Sequence, residues 1–309
     1  MSTAAKLGRG TIQIANWLVN TFILLVILLI LSFSFYSLWD SNQVHRAASS
    51  VNYEMYKPSA ESEVTSFADL QTINPDVFAW ITIYGTNIDY PVVQGQNNIK
   101  YVNTDARGRH SISGALFLDY RSGPNFSDFS SIVYGHHMEN QVMFGEIALF
   151  SDKSYFDARR YGMLYIDGQE YGMEFFAFVH ADAYDFDVFR VRLNEPEEKS
   201  AYLDMLMQRA MHTRPEIPVT TTDRIVLLST CSPNTTNGRD ILVAKITDTI
   251  FSNPFEAEDT NLGQTIPMID EFYNFWNRAP HLVKIGMVAT LFLLIMITVS
   301  LICKKRKRS

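Results

Sequence analysis

Cysteine is almost absent, with two residues in a chain of 309. That excludes a small scaffold built on disulfides. There is no C-x-x-C pair and no Cys/His cluster at ligand spacing, which excludes a dithiol oxidoreductase and a structural zinc site. No metal and no cofactor are expected. Internal repeats and low-complexity blocks are missing as well, which sets aside solenoids and biased tracts. Charge is missing from two long stretches, residues 10–39 and residues 285–303. Each can cross a hydrocarbon core of about 30 Å as a helix of about 20 residues. The first is too long in its apolar part for a cleaved leader, and no good small-residue cleavage site follows it directly. The second runs into Lys304-Lys305-Arg306-Lys307-Arg308, a basic stop.

Acidic side chains are confined to the middle: all 33 lie between Asp40 and Glu271. Lys6 and Arg9 flank the first apolar stretch and the basic tail flanks the second, so the positive-inside rule puts both termini in the cytoplasm. The segment 40–279 is then extracellular, and with 18 basic residues its net charge is −15. Such a segment does not suit nucleic acid and suits an amine-bearing partner. The expected organisation is a cytoplasmic tail and anchor over 1–40, a stalk or short helix over 41–66 and a globular domain over 67–250. A linker over 251–280 and a second membrane helix with a basic tail over 281–309 complete it. Cys303 falls at the cytoplasmic membrane edge, so Cys231 stands alone outside and has no intrachain disulfide partner.

Within the globular segment the pattern is that of short strands. Val77–Ile83, Ile88–Val93, Gly114–Asp119, Ile132–Tyr134, Gly162–Ile166 and Tyr171–His180 read as extended, with a hairpin turn at Asp167-Gly168. Pro91 demands a strand edge or a bulge. A short helix from Phe67 ends at Asn74-Pro75, and Glu195–Met211 has the three-and-four spacing of an amphipathic helix. Ile225–Cys231 and Ile241–Ala244 close the series. Strands at regular spacing with turns between them predict a mainly-β closed barrel carrying added helices.

Cys231 ends one of these strands, and Arg239 opens the next. A lone cysteine is either a small buried hydrophobe or a reactive thiol. A thiol nucleophile needs a base or a cation beside it, because the thiolate is the attacking species, and a carbonyl substrate needs donors for the oxyanion. His136 follows a third strand and offers the imidazole. Neighbours in extended chain point opposite ways, so at most one of His136 and His137 faces the thiol. Arg239 is alternatively a strand-end charge paired with Asp240.

The run Leu227-Leu228-Ser229-Thr230-Cys231 with Arg239 resembles the active-site signature of sortases, the membrane-anchored cysteine transpeptidases of Gram-positive bacteria. Asn87–Gly95, Gly114–Asp119 and Tyr134–Met138 with Met143-Phe144-Gly145 are similar to the class B branch. The likeness runs from about Phe67 to Thr247. It implies an eight-stranded β-barrel flanked here by two transmembrane helices. It also implies thioester formation by Cys231 on a sorting-signal peptide, proton transfer by His136, and substrate and oxyanion binding by Arg239. Ser229, Thr230, Asn98 and Val102 match positions for substrate contacts. The implied partners are surface proteins or pilins bearing a sorting signal and an amine acceptor on a peptidoglycan precursor or a pilin lysine.

A second membrane span departs from class B enzymes that attach haem-uptake proteins and is more familiar in pilin-polymerising sortases. The Asp-Pro-aromatic lid of class C is absent from residues 40–66. A class B-type pilus polymerase is therefore an expectation beside cell-wall anchoring. A cysteine hydrolase and a tethered binding module with a buried Cys231 are the competing classes.

Overall fold

The computed structural model describes residues 3–58 and 65–255. Helix α1 (Thr3–Ala48) contains the apolar stretch Ile14–Ser37, long and apolar enough by length and composition to cross a membrane. It continues past Asp40 to Ala48, into the segment 41–66 expected as a stalk or a short helix. The expected second membrane helix, its basic tail and most of the linker lie outside the described residues.

Two 3-10 turns, Ser50–Asn52 and Glu54–Tyr56, follow α1 and lie against the barrel. Tyr53 sits edge-on to Tyr90, and Lys57 pairs with Asp89 at 2.7 Å. The same Asp89 carboxylate accepts from Trp80 Nε1 and Thr82 Oγ1, both at 2.7 Å. Helix α2 (Thr65–Ile73) ends at Asn74, as its Asn-Pro stop predicts.

The strands are β1 (Val77–Ile83), β2 (Asp89–Val93), β3 (Leu116–Leu118), β4 (Ser130–Tyr134), β5 (Tyr161–Ile166), β6 (Gln169–Asp182), β7 (Ala210–Thr213), β8 (Arg224–Cys231) and β9 (Gly238–Thr247). Their order is β5-β1-β2-β3-β4-β8-β9-β6, and β6 pairs back onto β5, which closes an eight-stranded barrel. The pairs β2/β3 and β4/β8 are parallel and the rest antiparallel. Pro91 falls opposite Trp80, one residue before β3 begins to pair at Val92. Its missing N–H therefore faces no ladder partner, which satisfies the edge requirement. Asp167 and Gly168 both have positive φ, the turn that an Asp-Gly hairpin calls for.

β7 was not expected. The amphipathic spacing ran to Met211, yet of the two helices that follow α2, a short α3 (Lys153–Ala158) and α4 (Pro196–Arg209), the second stops earlier and Ala210–Thr213 turns extended. β6 explains it. Fourteen residues long, it outruns β5, and β7 takes the edge so exposed through Ala177–Val179.

Alternation divides the buried side chains of β8 and β9. Val226, Leu228, Leu242 and Ala244 join the main core with Trp80, Leu164 and Phe175. Ile225, Leu227, Ile241 and Val243 join a second cluster with Tyr202, Leu203 and Leu206 of α4. Both faces of these strands are thus covered.

Gly114 adopts φ +60°, and a Cβ there would collide with the carbonyl oxygen of Tyr101 and stand 2.6 Å from that of Val102. Left-handed backbone costs an L-residue about 1–2 kcal/mol before any clash. Gly114→Ala should lower the stability of the detergent-solubilised chain by at least that amount, read as the urea midpoint. A change of a few tenths of a kcal/mol would contradict the close approach.

Candidate active site

The register of β8 and β9 sets Cys231 directly opposite Arg239. By alternation both lie on the face of Leu227 and Ile241, outside the barrel core. Cys231 is exposed, not buried as a core hydrophobe would be. The Arg239 Nη1 donates to its Sγ at 2.6 Å. Asp240, one residue on, points to the other face and accepts from His180 Nδ1 at 2.8 Å. Arg239 is therefore not held by Asp240 and remains with the thiol.

β4 runs parallel to β8, with Tyr134 opposite Ser229, and carries the chain to His136 at the same end. Gly135 between them has no room for a side chain: a Cβ would meet Leu116 Cδ2 at 2.5 Å and Phe144 at 2.6 Å. His136 Nε2 lies 2.9 Å from the Val102 carbonyl oxygen. A carbonyl only accepts, so Nε2 carries the hydrogen and Nδ1 is the nitrogen left for proton exchange. His137 takes the other direction and pairs with Met143, away from the groove.

A groove of about 390 Å³ collects these groups. Cys231, His136 and Arg239 line it, as do Ser229, Thr230, Asn98 and Val102, so every site residue named from the sequence borders one space. The Ser229 and Thr230 hydroxyls are buried with no hydrogen-bond partner among the described residues.

The rest of the lining was not foreseen: Phe117, Tyr134, Phe186, Phe189 and Arg121 border the same space. Behind Arg121 lies Asp119, whose side chain is fully buried. Its Oδ1 accepts from the Arg121 main-chain N–H and Nε, both at 2.9 Å. Its Oδ2 accepts from Arg121 Nη2 at 2.8 Å, Asn98 Nδ2 at 3.0 Å and Tyr134 Oη at 3.2 Å. Burial opposes ionisation of Asp119, but the hydrogen bonds and charge of Arg121, helped by Asn98, outweigh it and hold the carboxyl below its ordinary value. Burial, reinforced by Asp119, pushes the Tyr134 phenol up, so it stays a donor. Asn98 Oδ1 in turn accepts from the Tyr120 N–H, which fixes the amide in one orientation. Asp119 belonged to a segment noted for its likeness to class B, and Arg121 carried no signal beyond a place in a polar loop.

An exposed thiol contacted by a guanidinium, with an imidazole of fixed tautomer in the same groove, defines a thiol-dependent acyl-transfer site on a closed barrel. The Sortase domain family model matches residues 81–247, more than half of the chain, and the chain belongs to the sortase family. It is class B-like. It is 32% identical to sortase B of Listeria monocytogenes over 163 residues, 53% of this chain and 65% of that protein's length. Sortase B from the type II pilus of Streptococcus pneumoniae is 48% identical, with 60% of this chain and all of that one aligned at a TM-score of 0.53. A Streptococcus pyogenes class B sortase involved in pilus biogenesis is 40% identical, again over 60% of this chain and all of that one, at 0.54.

Because the Asp119 carboxyl is held below the ordinary aspartate value, its stabilisation is complete above pH of about 4 and is lost as pH falls through its folded value. Asp119→Asn should therefore cost about 2 kcal/mol at pH 7, less than a sealed ion pair because Arg121 is partly in water. The gap to the parent chain should close as pH falls well below 4, measured by urea unfolding at a series of pH values. A gap independent of pH would contradict the assignment.

Proposed function

We propose that this class B-like sortase is a membrane-anchored cysteine transpeptidase that cleaves a C-terminal sorting signal and passes the acyl group to an amine. The observation that carries the reading is the 2.6 Å contact of Arg239 with the Cys231 sulfur in a groove shared with His136. The Cys231 thiolate attacks the carbonyl carbon of the scissile amide. The oxyanion forms beside Arg239, whose guanidinium stays protonated and so acts as donor and never as base. The carbon–nitrogen bond breaks as His136, charged at this stage, gives its Nδ1 proton to the leaving amine. A thioester remains. An incoming amine attacks it, His136 accepts the proton, and the carbon–sulfur bond breaks to regenerate the thiolate beside a charged His136. Ser229, Thr230, Asn98 and Val102 serve as peptide contacts along the groove, and no metal or cofactor enters the scheme.

The acceptor is a cell-wall peptide amine or a pilin lysine. Two relatives with 40% identity or more carry pilus descriptions, which favours a pilin. The acidic surface of segment 40–279 suits a cationic acceptor. The topology proposed is two-pass, with the catalytic domain outside and residues 281–309 as the second anchor, holding the groove near membrane-tethered substrates and raising their effective concentration.

Cys231→Ala, His136→Ala and Arg239→Ala should each reduce transfer by about a hundredfold or more without unfolding the domain. The check is mass spectrometry of the acyl adduct trapped on Cys231 in cells, which also reads the signal peptide. Transfer retained by Cys231→Ala would refute the nucleophile. Product acids in place of amine adducts would make the chain a hydrolase. Deleting residues 283–309 should weaken the ladders formed by co-expressed pilin, and unchanged ladders would refute a role for the second anchor.

A further inference from the structure

The groove is lined by two guanidiniums, and the reaction uses one. Arg121 has no place in the scheme, yet it is the better fixed of the two. Its Nε and Nη2 form a fork onto Asp119, its main-chain N–H adds a third bond, and Nη2 also reaches the Phe189 carbonyl at 3.4 Å. Its own carbonyl accepts from Arg192 Nε at 2.8 Å. With the fork occupied, Nη1 has no partner among the described residues, while the side chain borders the groove and is 39% exposed.

We propose that Arg121 is a second substrate-binding residue, donating to a main-chain carbonyl of the acyl-donor peptide, with Asp119 as its positioning residue. The proposal rests on the transpeptidase reading. Charge selects the kind of acceptor. Asp119 already neutralises Arg121, so the pair offers a donor without a net positive field and reads a neutral carbonyl in preference to a carboxylate. Chemistry selects the half of the substrate. The amine product must leave after acylation while the acyl segment stays through both steps, so a rigid donor on the groove wall is of use to the acyl half. The flanking rings of Phe117 and Phe189 would cover the apolar flank of the same segment. Lysine would not replace this residue, because a single ammonium cannot hold Asp119 with a fork and present a free edge as well.

The test uses the full chain in detergent, carrying Cys231→Ala to prevent turnover, and a fluorescein-labelled peptide with the acyl segment recovered from Cys231 together with its leaving half. Arg121→Gln should weaken peptide binding about tenfold, and Arg121→Lys, which keeps the charge beside Asp119, should recover only part of the loss. Single thioamide replacements along the peptide then locate the acceptor. One position on the acyl half should lose binding in the Arg121 chain and lose nothing further in Arg121→Gln. With Cys231 restored, Arg121→Gln should be alkylated by iodoacetamide at the parent rate, which separates a binding role from damage to the thiol. Equal affinity in both chains, identical thioamide profiles, or a sensitive position on the leaving half would overturn the proposal while leaving the transpeptidase reading intact. Peptide that binds no variant would overturn both.

Discussion

Cys231 and Arg239 meet because β8 and β9 pair antiparallel without a break from Arg224–Ile246 to Cys231–Arg239. Directly opposed residues on one face of such a pair hold their Cβ atoms about 5 Å apart, close enough for a long guanidinium to reach a sulfur. A shift of one residue would send Arg239 to the opposite face and set Asp240 across from the thiol. A carboxylate there would repel a thiolate where Arg239 attracts it. The chemistry is therefore a consequence of register.

Hydrophobic pattern alone does not choose that register, because both faces of β8 and β9 are apolar along most of their length. The polar ends choose it. Asp240 is buried and has its partner in His180 on β6, while Arg239 is on the exposed side with the groove before it. In the slipped pairing a buried carboxylate would lose its imidazole and a guanidinium would take a place in the core, and each loss costs several kcal/mol. The bonds of β8 to β4 and of β9 to β6 add neighbours that must slip together. The ends of the strands thus carry specificity for fold and for site at once.

Most of this was legible. Alternation and turn residues marked the barrel strands, and a thiol, an imidazole and a guanidinium at three strand ends pointed to one rim. What escaped had physical reasons. β7 hid because Ala210 and Met211 continue a helical spacing, and the strand state of Ala210–Thr213 is decided by the free edge of β6, a tertiary fact. After Asp40 the sequence admitted both a stalk and a helix, because polar residues follow the apolar stretch without a breaker, and α1 runs on to Ala48. Arg121 hid because a charge in a polar loop is ordinarily solvated, and only the folded loop shows the carboxylate behind it.

The groove has two halves of different rigidity. Cys231 and Arg239 belong to paired strands, whereas His136 and its partner Val102 lie on connections. Connections need ties of their own, and Asp119 supplies one: it holds Asn98 at the start of the turn that leads to Val102, whose carbonyl in turn holds His136 Nε2. The turn is closed from beneath by Gly114, packed against the carbonyls of Tyr101 and Val102. The imidazole is thereby oriented through two hydrogen bonds and the turn between them, starting at a buried carboxylate. The turn that carries the acceptor for His136 and the Arg121 donor in the groove lining are tied to the same anion. A fault at Asp119 would consequently reach both proton transfer and peptide binding, although its side chain is sealed from the groove by the groups it holds.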